Sequence, residues 1–135
     1  MNKKVILSAL GGAVAFTLLG GLVFEVLLKD LMTEMMAAMG SAANPNPDFI
    51  LIILANLTLS VLLALLLNRS NVSTFSGGAM GSVWIVFLLI LWFDIWMFAT
   101  FTFMTPKMMA IDIVSNTIMG TLGGGVIGQI QGKLN

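Results

Sequence analysis

The chain has 135 residues, of which 59% are hydrophobic and 9% charged, and its six basic and six acidic residues give no net charge. Soluble domains carry roughly 25% charged residues, so this composition excludes one, and the neutral balance gives no electrostatic basis for binding nucleic acid. The absence of cysteine and histidine excludes disulfides, thiolate catalysis and the usual zinc and haem ligands. We therefore expect one domain, residues 1–135, with no cofactor and no metal site.

Four apolar segments alternate with short polar ones, and each is close to the roughly 20 residues that cross about 30 Å of hydrocarbon. Backbone groups inside a bilayer need internal hydrogen-bond partners and the pattern does not alternate, so the segments predict helices. The sequence therefore predicts an all-α membrane protein, a four-transmembrane-helix bundle with short loops. The expected helices cover about 5–28, 49–67, 79–103 and 108–130, with a methionine-rich interfacial helix at 29–40.

The first segment begins after MNKK, which is also how a secretory signal peptide begins. The apolar run continues to Leu28 without a small-residue cleavage site, so we expect it to remain as a helix. Four basic residues fall on one side of the predicted membrane and two on the other, which by the positive-inside rule predicts that both termini are cytoplasmic. The four are Lys3, Lys4, Arg69 and Lys133, and the two are Lys29 and Lys107.

The fourth predicted helix carries an unbroken row of small and polar residues at four-residue spacing, typical of a glycine zipper. Small residues let helix backbones approach closely in a bilayer, so the row predicts a contact face with right-handed crossing. We expect this face to pack on the first helix within one bundle; self-association of two copies and a glycine-lined pore are the alternatives. The row is Asp112, Asn116, Gly120, Gly124, Gly128 and Gly132, and the small residues of the first helix include Gly11, Gly12, Gly20 and Gly21.

Polar side chains are predicted in the outer half of every helix: Glu25, Asn56, Asp94, Asp112 and Asn116. A charged side chain at mid-bilayer costs about 2.5–3.5 kcal/mol on insertion scales, so it normally faces the bundle interior or a wet cavity. Asp94, expected roughly 15 Å deep, has no basic residue at its depth. Either this cluster binds a proton or cation on a path from the outer face, or it forms hydrogen bonds that set the helix register. Glu25 is expected to pair with Lys29.

Several blocks in the second half of the chain resemble a group of small bacterial inner-membrane proteins with four transmembrane helices and no assigned activity. The blocks are STFSGGA (73–79), FD (93–94), DIV (112–114) and GGGVIGQIQGKL (123–134). The resemblance implies a bacterial origin, a four-helix bundle and the inner membrane, and it implies no activity. Small multidrug transporters share the helix count, but their acidic residue is central in the first helix whereas Glu25 lies near its end.

The sequence contains no recognisable constellation of nucleophile, base and metal ligands, so we expect the protein not to be an enzyme. The hypothesis that needs the fewest assumptions is an accessory or structural subunit that packs through small-residue helix faces, either with itself as a homo-oligomer or in a larger membrane complex. The alternative is a proton- or cation-coupled small transporter or channel built around Asp94.

Overall fold

Five α-helices make up most of the computed structural model, which describes residues 2–135. A π-helical segment, Gly21–Leu27, continues the first helix, and one 3-10 turn, Gly40–Ala42, follows the second. The helices are α1 Lys3–Gly20, α2 Lys29–Met39, α3 Phe49–Arg69, α4 Phe75–Thr100 and α5 Pro106–Lys133.

Side-chain caps determine where the long helices begin. The α4 helix begins at Phe75, earlier than the predicted residue 79, because the Thr74 side chain accepts a hydrogen bond from the Gly77 amide at 3.0 Å. It ends at Thr100 rather than 103 because Phe101 has extended backbone angles. Similarly, α5 begins with Pro106 after the cap Thr105, since proline suits the first turn of a helix.

Four helices are long and apolar enough to cross a membrane: Lys3–Leu27, Phe49–Arg69, Phe75–Thr100 and Pro106–Lys133. The sequence prediction of a helical, multi-pass membrane protein is therefore confirmed. The α2 helix, at the position of the predicted interfacial helix, has no buried residue.

The four long helices give the bundle two distinct ends. Lys4 Nζ donates a hydrogen bond to the Asn135 side chain, so both termini share one end, which we call the terminal end. The opposite end, the loop end, holds the connection from α1 to α3 and the short turn between α4 and α5. The four basic residues predicted to share a side lie at the terminal end.

The α5 helix is at the centre of the bundle. It packs against α1, α3 and, most extensively, α4, whereas α4 has little contact with α3. The buried apolar core lies among α1, α3 and α5 and includes Phe16, Leu63 and Ile127. One helix, α4, is thus attached to the remainder almost entirely through α5.

The glycine row of α5 packs against α4, so the expectation that it faces the first helix is wrong. A Cβ atom added at Gly128 would collide with the backbone of Thr74 and Gly78, one added at Gly124 with Ser82 and the Gly78 carbonyl, and one added at Gly120 with Val86. Each step of four residues along α5 matches a step of four back along α4. We call this antiparallel contact the α4–α5 seam: Gly78, Ser82, Val86, Ile90 and Asp94 of α4 with Asp112, Asn116, Gly120, Gly124 and Gly128 of α5. At the terminal end it continues to Gly132, which lies against the Ser73 backbone.

The first helix does pack on α5, but it uses a different face. Gly12 accommodates the Ile127 side chain, Gly11 accommodates Ile130, and on α5 Gly123 accommodates the Phe16 ring. Glycines on each helix thus receive bulky side chains from the other helix, which lets the two backbones approach closely. Two of the predicted packing glycines contribute less: Gly20 has only the Met119 methyl group at 3.6 Å, and Gly21 has no neighbour within 4 Å.

Substituting Gly128→Ala should destabilise the fold by about 1–3 kcal/mol, because the new methyl group overpacks a rigid backbone contact. The matched control is Gly21→Ala, which meets open space and should be neutral or stabilise the helix by about 0.5–1 kcal/mol. The free energy of unfolding in mixed detergent micelles, followed by circular dichroism, would measure both. Equal stability of the two variants would contradict the seam contact.

Candidate functional site

The loop end of the seam brings two aspartates together. Asp94 lies six residues before the end of α4 and Asp112 six residues after the start of α5, so they stand at one level across the turn. Their carboxyl groups are within hydrogen-bonding reach of each other. By helix rise both lie about 9 Å from the turn, shallower than the 15 Å expected for Asp94, because α4 ends sooner than predicted.

Among residues 2–135, Asp94 is the most deeply buried ionisable side chain. Its side chain is 1% exposed, and its Oδ2 atom has no hydrogen-bond donor. A buried polar atom without a partner is costly, and here the neighbouring polar group is a second acceptor, the Asp112 carboxyl. Two ionised carboxylates at this site would therefore place one acceptor against another.

Asn116, one turn along α5, supports Asp112. Its Nδ2 donates to the Asp112 backbone carbonyl at 3.0 Å, which places its side-chain amide beside the Asp112 carboxyl. Asp112 is half-buried. By contrast, Asp94 is buried, and its Oδ2 atom has no donor. Three of the five predicted polar residues thus form one group, which we call the carboxyl pair site: Asp94, Asp112 and Asn116.

The other two predicted residues lie elsewhere, so the expectation of one shared cluster is wrong. Asn56 lies between α3 and α1, where its Nδ2 donates to Thr17 Oγ1 at 3.1 Å; it is separated from Asp94 because α4 hardly contacts α3. Glu25 is exposed in the π-helical segment and lines an outer groove of about 350 Å³ together with Lys29. Neither residue contributes to the carboxyl pair site.

A buried polar network at the terminal end was not predicted from the sequence. Gln131 is fully buried, and its Nε2 donates to Ser8 Oγ at 3.2 Å and to the Ala64 carbonyl at 2.8 Å, linking α5 to α1 and α3. Nearby, Ser60 Oγ donates to the Ala9 carbonyl at 2.6 Å. A signal existed: Gln131 lies three and four residues from the core-facing Gly128 and Ile127, which places it on the buried side of α5.

The seam is closed between the carboxyl pair site and the terminal end. Backbone meets backbone around Gly78, Gly124 and Gly128, and Val86 fills the space beside Gly120. At the loop end, the two adjacent carboxyl groups can hold a small positive species between them. The close packing at these glycines leaves little space along the seam between the two aspartates and the terminal end.

Comparisons with known proteins give no assignment: no model of a known protein family matches the chain, and no curated protein or solved structure matches it.

Replacing Gln131 by alanine should destabilise the bundle by about 1–3 kcal/mol, since the Ala64 carbonyl and Ser8 lose a buried donor. Its matched control is Gln129→Ala, two residues away and exposed, for which we expect no measurable change. Unfolding of both variants in detergent, monitored by tryptophan fluorescence, provides the comparison. If Gln129→Ala were the more damaging substitution, the orientation of α5 would be incorrect.

Proposed function

We propose that the protein is a non-enzymatic structural or accessory subunit of a bacterial inner membrane that assembles with further copies of itself, with both termini in the cytoplasm. The location follows from the sequence resemblance, and the orientation follows from the four basic residues at the terminal end. The seam glycines, which suggested self-association, are occupied inside the chain. Assembly must therefore use another surface.

The surface that supports assembly is the outward side of α4. Residues at four-residue spacing form a row of large side chains, all 52–68% exposed, on the side of the helix opposite the seam. We call it the outer row: Met80, Trp84, Leu88, Trp92 and Trp96. Only one of these tryptophans, Trp96, is close to the loop end of the helix.

The depth of the other two tryptophans is the observation that carries the proposal. Tryptophan is enriched at the membrane–water interface, where its N–H group remains hydrated. On a helix of 26 residues, Trp84 and Trp92 lie about 5–7 Å from the midpoint, deep in the hydrocarbon. A partner surface at that depth explains their position better than lipid contact does.

A second copy of the chain offers a matching partner surface. An apolar groove of about 300 Å³ opens to the membrane between α1 and α3, lined by residues that include Ala13, Val14 and Leu57. By helix rise its lining extends over about 10–24 Å from the terminal end, and Trp84 to Trp92 extend over about 14–26 Å. Large side chains at the same depth as an apolar groove are complementary when two copies share one orientation in the membrane.

This contact would be head-to-tail, because the outer row and the groove are different surfaces of the same bundle. Head-to-tail contacts repeat, and they produce closed rings or open arrays rather than symmetric dimers. A structural role in a lateral assembly follows. The alternative hypothesis, a transporter, has less support because the seam is closed toward the terminal end.

Native mass spectrometry in lipid nanodiscs would test the assembly. The wild type should form oligomers, whereas Trp84→Ala combined with Trp92→Ala, and separately Val14→Trp, which fills the groove, should each be monomeric. A matched control is Ile50→Ala, a lipid-facing residue of α3 that is 77% exposed and lies outside the groove. That variant should assemble as the wild type does.

Mixing the two monomeric variants makes the test specific for a head-to-tail contact. Each variant retains one intact surface, so the mixture should yield dimers of one copy of each and nothing larger. A wild type that is monomeric in nanodiscs, or that is recovered from its own membrane only in complexes with other proteins, would contradict self-assembly.

A further inference from the structure

The two acidic groups of the carboxyl pair site are in contact with each other. Within residues 2–135, no basic group faces them. Asp94 belongs to α4, whose packing partners are α5 and, to a small extent, α3. On α5 the only titratable residues other than Asp112 are Lys107, exposed in the first turn, and Lys133 at the terminal end. On α3, Arg69 is at the terminal end, and Asp48 caps the helix by accepting from the Ile50 and Leu51 amides.

Two carboxyl groups at hydrogen-bonding distance can be joined in two ways. A proton between them converts one acceptor into a donor, as happens when two carboxyl groups share a site and cannot both ionise. A metal cation requires more ligands: Mg²⁺ takes six and Ca²⁺ six to eight oxygen atoms. Within residues 2–135 no group of three or more acidic, histidine or cysteine side chains could hold a metal ion.

The surrounding groups also favour the proton. Asn116 donates its amide N–H group to the Asp112 backbone carbonyl, so an amide donor, the kind of group that stabilises a carboxylate, lies beside the Asp112 side chain. Asp94 Oδ2 is buried without a donor, and burial without donors disfavours a charged carboxylate. The two environments are unequal, with one carboxyl supported as an anion and the other enclosed.

We propose that Asp94 and Asp112 together bind one proton, with Asp94 as the protonated acid that donates to the Asp112 carboxylate. The O–H group of Asp94 supplies the missing donor, and the single remaining negative charge resides on Asp112, beside the Asn116 amide. This proton-binding site is independent of the assembly proposed above, because it faces the seam and not the outer row.

Because the site lies between α4 and α5, loss of the proton should change how these two helices pack. The α4 helix is attached through α5, and its contact is tight at the terminal end but depends on the carboxyl pair at the loop end. Removal of the proton places two like charges in contact within a low-dielectric seam, where repulsion is strong. The loop end of the α4–α5 hairpin should therefore separate when the proton is lost.

Infrared spectroscopy of protein labelled with 4-¹³C-aspartate would detect this proton directly. A protonated acid has a carbonyl stretch distinct from that of a carboxylate, and the label assigns it to aspartate. Exposed aspartates titrate near 3.9 and are ionised at neutral pH. We expect the wild type at pH 7 to show a band equal to one protonated aspartate per chain. Asp94→Asn should abolish it, whereas Asp112→Asn should retain it at a shifted frequency, because Asp94 stays buried but loses its carboxylate acceptor.

The matched control is the double variant Asp30→Asn and Asp48→Asn, which removes the two other aspartates and should leave the band unchanged. Absence of the band in the wild type would overturn the proposal, as would a band equal to two protonated aspartates. Survival of the band in Asp94→Asn, or a band of unchanged frequency in Asp112→Asn, would also overturn it. If those variants fail to fold, the wild type and the double control still decide the result.

Discussion

The close approach of the α4 and α5 backbones is the contact on which the remainder of the structure depends. Around Gly78, Gly124 and Gly128 no space remains for a β-carbon, so the helices can approach this closely only with glycine at these positions. In a membrane this contact has no hydrophobic driving force and depends on dispersion over closely packed atoms. Such packing tolerates few alternatives, and it therefore determines the register of the hairpin.

That register accounts for the position of the carboxyl pair. Once Gly78 lies against Gly128, the four-residue spacing on both helices carries the alignment through Ser82 and Val86 to Asp94 and Asp112. Intramembrane ionisable residues normally face the bundle interior and pair with one another; here the alignment pairs one acid with another. The seam thus combines a rigid terminal half with a loop half whose closure depends on a proton, while the outer row of α4 remains available for a second copy.

The helices and the closely packed face were predictable from the sequence because they depend on local properties. Apolar length indicated the four membrane helices, and the spacing from Gly120 to Gly132 indicated a contact face. The partner of that face was not predictable, since α1 and α4 both carry small residues and the choice depends on three-dimensional packing. For the same reason Asn56 and Asp94 were expected together at similar depth but lie on separate interfaces. Gln131 was overlooked because it lies near the helix end, where a polar residue is unremarkable.

The register of the seam is tested most directly by disulfide cross-linking, since the chain has no native cysteine. Ile90→Cys with Asn116→Cys places two cysteines opposite each other on the seam, and Val86→Cys with Asn116→Cys is displaced by one helical turn without adding a side chain at a seam glycine. A disulfide forms only when the Cα atoms are within about 7 Å. The account predicts rapid intramolecular cross-linking of the first pair and none of the second. Cross-linking of the displaced pair instead would contradict the register and with it the pairing of Asp94 with Asp112.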